Sequence, residues 1–306
     1  MRFSLELPTQ RVDQPEQFVT AEAIVEVTRT AAAAGFAAVN VTDHPAPDAR
    51  WLDQGGHHAL DPFVALGIAA TADERIFLHT NIYVAAYRNP FLGAKQVHTL
   101  QVLTDGRLVL GVAAGYLKPE FAALGVDFSR RGALLDQALE VLDEVCAGDD
   151  VAREGEGFSA RGVRFRPVPP GGRPTIWVGG NSRAAMARAA RYDGWAPFHT
   201  AGFATASRTD PLEDLDALRA ASAAVRSAAD ETAPGRPFDV CWSESRTPDA
   251  GSSSDERCTR LTALAEAGVT WATTSLPGGN RDELIAAIAT FGREVIAELG
   301  SPGEHL

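Results

Sequence analysis

The run Thr175-Ile176-Trp177-Val178-Gly179-Gly180-Asn181-Ser182-Arg183, continued as AAMARAARYDGW to Trp195, decides the fold. Thr175 to Val178 is a short β-type stretch. Arg183 to Arg191 is built of alanine and arginine with one methionine, all good helix formers. Between them lie two glycines, an asparagine and a serine. The reading is a strand that ends in a tight turn and feeds directly into a helix. Gly179 and Gly180 give the backbone conformations closed to other residues and let a ligand approach. Asn181 or Ser182 caps the helix. The first helical N–H groups have no internal partner, and the helix dipole favours an anion there. Residues 179–182 are therefore a candidate phosphate turn. A plain glycine turn has the same spacing, so the rest of the chain must decide.

Outward from this unit, strand and helix alternate about eight times. Strands are expected over Arg2–Leu7, Ala37–Val41, Arg75–Val84, Arg107–Ala113, Thr175–Val178, Asp193–Pro197, Phe238–Ser243 and Val269–Ser275. Helices are expected over Glu16–Ala34, Pro62–Ala72, Pro90–Leu103, Ser129–Cys146, Arg183–Arg191, Leu212–Ala229, Asp255–Ala267 and Arg281–Leu299. Asp61-Pro62, Asn89-Pro90 and Asn280 supply start signals, and Gly35 and Gly268 stop signals. Residues 148–173 break the rhythm and suggest a hairpin laid over the outside. Such alternation means parallel strands joined by helical crossovers. Eight units in one chain, residues 1–306, are expected to form a single α/β domain, a (β/α)8 TIM barrel with insertion loops. A doubly wound open sheet is the alternative. In either fold, ligands sit at the carboxyl ends of the strands.

Composition excludes several classes. The 306 residues carry 28 Lys and Arg against 40 Asp and Glu, a net charge of −12. That argues against nucleic acid or an anionic membrane as partner. The three cysteines form no CxxC and no disulfide framework, which fits a cytoplasmic setting. No apolar run reaches membrane-spanning length. His44, His57, His58 and Asp61 can be read as metal ligands, but matched His-x-His or carboxylate spacing is missing, so no metal is expected. Gly111 and Gly115 lack the GxGxxG spacing of a nicotinamide site.

Four segments carry a resemblance: Thr42-Asp43-His44; Thr80-Asn81-Ile82-Tyr83-Val84-Ala85-Ala86-Tyr87-Arg88-Asn89-Pro90 with Lys95-Gln96; Asp105 to Tyr116; and Val178 to Ser182. In this order, on these elements, they resemble the bacterial luciferase-like monooxygenase superfamily. Within it they look most like the branch that uses the deazaflavin coenzyme F420. The resemblance covers about residues 2–298. It implies a flavin-type ring across the barrel mouth, its phosphate in Gly179, Gly180, Asn181 and Ser182, and Gly111 and Gly115 beside it. It also implies a bulge with a non-proline cis peptide at Asn81-Ile82, behind the ring.

The resemblance makes His44 the candidate acid or base, because histidine titrates near neutrality. Asp43 can orient it, contact the cofactor or cap a turn. Trp51, His57 and His58 fall in a long loop that can form a substrate lid. The family's well-understood deazaflavin dehydrogenases carry a proton-donating glutamate where this chain has Tyr116, which can be pocket wall. Glu120, one helical turn on, is not taken as its substitute. Arg88, before Asn89-Pro90, can bind an acidic group, but a solvated or salt-bridged surface arginine is expected. The implied function is hydride transfer between F420 and a small organic substrate. Reduced FMN with oxygen, giving a monooxygenase, is the alternative, and a non-catalytic flavin-binding barrel is a third reading. The resemblance implies a homodimer.

Overall fold

The computed structural model describes residues 1–198, 211–212, 214–244 and 253–300. Ten strands occur among them: β1 Arg2–Glu6, β2 Ala38–Val41, β3 Phe77–Tyr83, β4 Leu108–Val112, β5 Val151–Gly155, β6 Phe158–Val163, β7 Thr175–Gly179, β8 Gly194–Ala196, β9 Asp239–Ser243 and β10 Trp271–Thr274. Eight of them close into a parallel barrel in the order β1-β10-β9-β8-β7-β4-β3-β2. β1 pairs with both β2 and β10, so the sheet has no edge and the open-sheet alternative falls. Every residue of β2 and β4 is buried. This is the pattern of strands covered on both faces. β5 and β6 form the expected antiparallel hairpin outside the barrel. β4 pairs directly with β7 across that insertion, so the barrel continues unbroken.

Helix starts follow their caps. Asp61 and Asn89 accept hydrogen bonds from the first turns of α4 (Pro62–Ala69) and α5 (Pro90–Leu103). Three local expectations change. Residues 16–34 form two helices, α1 (Pro15–Phe18) and α2 (Ala21–Ala33), because Thr20 takes extended backbone and its side chain accepts from Ala23 N. The loop after β2 contains a short helix, α3 (Ala49–Asp53), capped by Asp48. Ser129 does not cap the long helix α7 (Arg131–Ala147). It lies in a one-turn 3-10 segment that Asp127 caps, just after α6 (Lys118–Ala123). The turn after β7 leads into α8 (Arg183–Ala189), capped by Ser182. Residues 198–210 and 247–254 read as loops in the sequence, and most of both segments lies outside the described residues.

The barrel interior is plugged. Trp177 and Trp271 meet edge to face at 5.1 Å, with Ala38, Val109, Ala196 and Cys241 packed around them. His79 stands edge-on to Trp177 at 4.9 Å. Its Nδ1 lies 3.3 Å from the Ser4 hydroxyl, which also accepts from Asn40. Burial drives the His79 pKa down to about 3, so the ring is neutral. The Asn81-Ile82 peptide is cis, as expected, within a register break between Thr80 and Tyr83 of β3.

Candidate active site

Above the plug, at the carboxyl ends of the strands, a cavity of about 500 Å³ opens. Its lining includes Thr42, Asp43 and His44 after β2, Asn81 and Ile82 from β3, and Ala113 to Tyr116 after β4. Gly179, Gly180 and Ser182 after β7, and Ser243 and Thr273 near the ends of β9 and β10, continue it. The volume falls within the range of small-molecule and cofactor sites.

His44 stands on this wall with its ring nitrogen Nδ1 3.1 Å from Glu120 Oε2. The same oxygen accepts the Tyr87 hydroxyl at 2.7 Å, and Oε1 accepts Ala46 N–H at 3.2 Å. The Glu120 side chain has no exposed surface. Burial opposes its ionisation, yet the bonds from His44, Tyr87 and Ala46 outweigh burial and hold its carboxyl below the ordinary glutamate range. Burial, reinforced by Glu120, pushes the Tyr87 phenol far up, so Tyr87 remains a donor. Trp51 and His57 flank the His44 ring at 4.5 and 4.9 Å, and Tyr116 lies edge-on at 6.2 Å.

The structure therefore gathers some expected residues and redirects others. Gly115 and Gly180 have positive φ, and both line the cavity. A Cβ on Gly115 would meet Val84 at 2.7 Å. One on Gly179 would fall 2.3 Å from Ile82 Cδ1, so that missing side chain accommodates the β3 bulge as well as walling the cavity. Gly111 is not part of the described lining. A Cβ there would sit 2.2 Å from Thr80 O, so its bareness serves the approach of β3 to β4. Asn181 is also not part of the described lining. It donates to Phe198 O and accepts from Phe198 N, tying the turn after β7 to the end of β8. Asp43 does reach the lining, but its carboxylate is committed. Arg88 grips both oxygens at 2.7 and 2.8 Å, and Val84 N–H adds a third bond. Arg88 is thus largely buried rather than a surface group, and the pair clamps the loop after β2 to the end of β3. Trp51 packs against His44 and is not part of the described lining, whereas His57 is.

Several lining residues were not singled out from the sequence. Ser129 and Arg131, next to and at the start of α7, and Arg188, in the last turn of α8, join Ser182 in the lining. Arg188 is paired through both oxygens of Asp136. Arg131 stacks over Phe128 at 4.2 Å and has no carboxylate within ion-pair distance among the described residues. It is a cation available to an anionic ligand within a chain of net charge −12. Among the described residues, no group of three or more His, Cys, Asp or Glu could hold a metal. No described helix is long and apolar enough to cross a membrane.

The closed parallel barrel carries a histidine and a glycine-walled cavity at its mouth, and the family match and its relatives place the chain among oxidoreductases. More narrowly, the chain belongs to the luciferase-like monooxygenase family, whose model matches residues 1–248. It is similar to an F420-dependent glucose-6-phosphate dehydrogenase of Mycolicibacterium fortuitum, 32% identical over 187 residues. Those residues are 59% of this chain and 54% of the relative, so the match spans about half of that enzyme. Its fold is shared with an F420-dependent secondary alcohol dehydrogenase solved with an F420–acetone adduct (TM-score 0.73, 16% identity, 98% of this chain and 99% of that one). It is shared equally with the FMN-bound oxygenating constituent of a type II Baeyer–Villiger monooxygenase from Pseudomonas putida (TM-score 0.73, 16% identity, 99% and 100%).

Proposed function

We propose that this chain exchanges a hydride between coenzyme F420 and a small organic alcohol, carbonyl or unsaturated carbonyl compound, with His44 moving the accompanying proton. The carrying observation is the placement of His44 on the cavity wall, backed by a buried carboxylate. The residues present fit the cofactor. Asn81 and Ile82 offer a floor for a flat ring, and Gly115, Gly179 and Gly180 keep the wall thin. Ser129, Arg131 and Ser182 offer donors to an anionic tail. When bound, the deazaflavin supplies or takes two electrons with the hydride. The chain's own task is to hold the reacting carbon beside the ring and to exchange a proton with the substrate oxygen at His44. The 32% identity to an F420-dependent dehydrogenase supports this choice of cofactor. Tyr116, at the position of that group's glutamate, weighs against a sugar phosphate as substrate.

The reading also takes residues 1–306 as one barrel unit acting in the cytoplasm as a homodimer. The three cysteines are free, which suits that compartment. The dimer is placed on α4 and α5, where Val64, Leu92 and Leu103 are 65%, 68% and 76% exposed. Neither helix carries an acidic residue, although Asp61 caps α4 and α5 carries Lys95, so the exposed apolar side chains are what support this face. Sedimentation of the wild type and of Leu92→Glu tests it, the variant being expected to run as a monomer.

The primary test is a fluorescence titration of cofactor-free protein with the deazaflavin and, separately, with FMN. Preference for the deazaflavin is expected. Preference for FMN would move the function to oxygen-dependent monooxygenation. Deazaflavin binding without turnover of any alcohol, ketone or enone would leave a flavin-binding barrel.

A further inference from the structure

His44 has two ring nitrogens, and only one can face a substrate. The contacts around it decide which. Glu120 accepts hydrogen bonds from the Tyr87 hydroxyl and from Ala46 N–H, and its Oε2 lies 3.1 Å from His44 Nδ1. A carboxylate held ionised, with a donor already on each oxygen, has no proton to give. Nδ1 must then carry the hydrogen of that contact. We propose that Glu120, itself held by Tyr87, is a positioning residue that acts through His44, committing Nδ1 as a donor and leaving Nε2 as the nitrogen that exchanges protons with the substrate. The proposal rests on the reading of His44 as the proton-transfer group. It adds the residue that makes this histidine competent in one tautomer.

A structural role alone accounts poorly for a glutamate here. Its side chain is wholly buried, and its neighbour Phe121 lies in an aromatic cluster with Tyr87 and Phe128. An ion at such a place costs several kcal/mol in desolvation unless its partners offset it. An apolar side chain would avoid that cost but would leave the Tyr87 hydroxyl and Ala46 N–H without this acceptor. The groups facing His44 from other elements do not compete for Nδ1. Trp51 and His57 flank its ring, and Tyr116 meets it edge-on. The adjacent Asp43 is already saturated by Arg88 and Val84. In the committed tautomer, neutral His44 offers Nε2 as an acceptor for a substrate hydroxyl. Once protonated, the same atom donates to a carbonyl oxygen. One atom thus serves both directions of an alcohol–carbonyl interconversion.

The test begins without cofactor or substrate. The full chain is labelled with 15N-histidine, and its long-range proton–nitrogen NMR spectrum is recorded at about pH 8, above the ordinary histidine range. A His44→Gln spectrum assigns the signal. The expected result is a single His44 tautomer with hydrogen on Nδ1. In Glu120→Gln, whose amide can donate as well as accept, the two tautomers are expected to mix. Tyr87→Phe keeps the ring's shape and removes one donor, and is expected to give a smaller change in the same direction. It decides the matter if Glu120→Gln does not fold. A wild-type His44 with hydrogen on Nε2, or a tautomer unchanged in whichever variant folds, would overturn the proposal. In turnover, Glu120→Gln is expected to lower kcat about 10–100-fold while changing KM less than about threefold. The acid limb of its pH profile is expected to move down by about one unit. A variant with reduced kcat and an unmoved limb counts against the proposal. Failure to find any F420 turnover would sink the functional reading while leaving the NMR result to judge the tautomer.

Discussion

His79 and His44 sit in the same barrel, one in the plug and one at the mouth, and both lie beside a tryptophan. Their partners differ. His79 has the neutral hydroxyl of Ser4, no exposed surface and no carboxylate. His44 has the ionised Glu120 behind it and a cavity in front. A buried imidazole without a counter-charge is held neutral and becomes a packing element. The same ring placed between a carboxylate and an open pocket becomes a group able to move a proton. On the proposed reading of His44, burial alone does not mark a functional histidine; a carboxylate beside one nitrogen and a cavity beside the ring do.

Breaking the mouth should have the largest effect. His44→Asn is expected to lower kcat about 10²–10⁴-fold on whichever substrate the cofactor test reveals. The thermal unfolding midpoint is followed alongside, because the ring also contacts Glu120, Trp51, His57 and Tyr116. A loss confined to KM would remove His44 from the chemistry.

Breaking the plug should change stability with a particular pH dependence. The His79 pKa is depressed to about 3 in the folded state, against about 6.5 in the unfolded chain. Below the unfolded value, the unfolded state binds the proton and the folded state does not. Stability is therefore full above about pH 6.5 and falls as pH drops toward 3, by a total on the order of a few kcal/mol. Denaturant melts across this window measure it. His79→Gln should flatten the part of the slope that belongs to this residue, and an unchanged slope would contradict the neutral-plug reading.

Two smaller changes sharpen the boundary between plug and mouth. Gly111→Ala places a methyl 2.2 Å from Thr80 O, and backbone must shift to accept it. A loss of about 1–3 kcal/mol in denaturant unfolding is expected, with deazaflavin binding altered only through the displaced bulge. Arg131→Ala should do the reverse. It should weaken deazaflavin binding about tenfold, as loss of one charge-assisted hydrogen bond does, with the unfolding midpoint nearly unchanged.

Much of the barrel was readable because its signals are local. Caps such as Asp61, Asn89 and Ser182 act within three residues of themselves, and the alternation of strands and helices repeats along the chain. Errors arose where one side chain outbid a periodic pattern, as when Thr20 split the helix expected over 16–34. The site was readable in outline: His44, Gly115, Gly179, Gly180 and Ser182 do meet at one mouth. Glycine by itself did not say what it makes room for. Gly111 serves the β3 bulge, and Gly179 serves both that bulge and the cavity.

The sequence by itself determined the order of elements, the parallel strands with helical crossovers and the strand ends where ligands are expected. Those follow from short-range patterning and from the geometry of parallel strands with helical crossovers. Closure of the sheet was decided by β1 pairing with both β2 and β10. Only the tertiary structure decided which groups meet. Glu120 lies 76 residues from His44 and 33 from Tyr87, yet all three share one carboxylate oxygen. Asp43 and Arg88, 45 residues apart, neutralise each other beside them. Hydrogen bonds and charge pairs act over a few ångströms in space and are blind to separation along the chain. Their partners become fixed only once the barrel has closed.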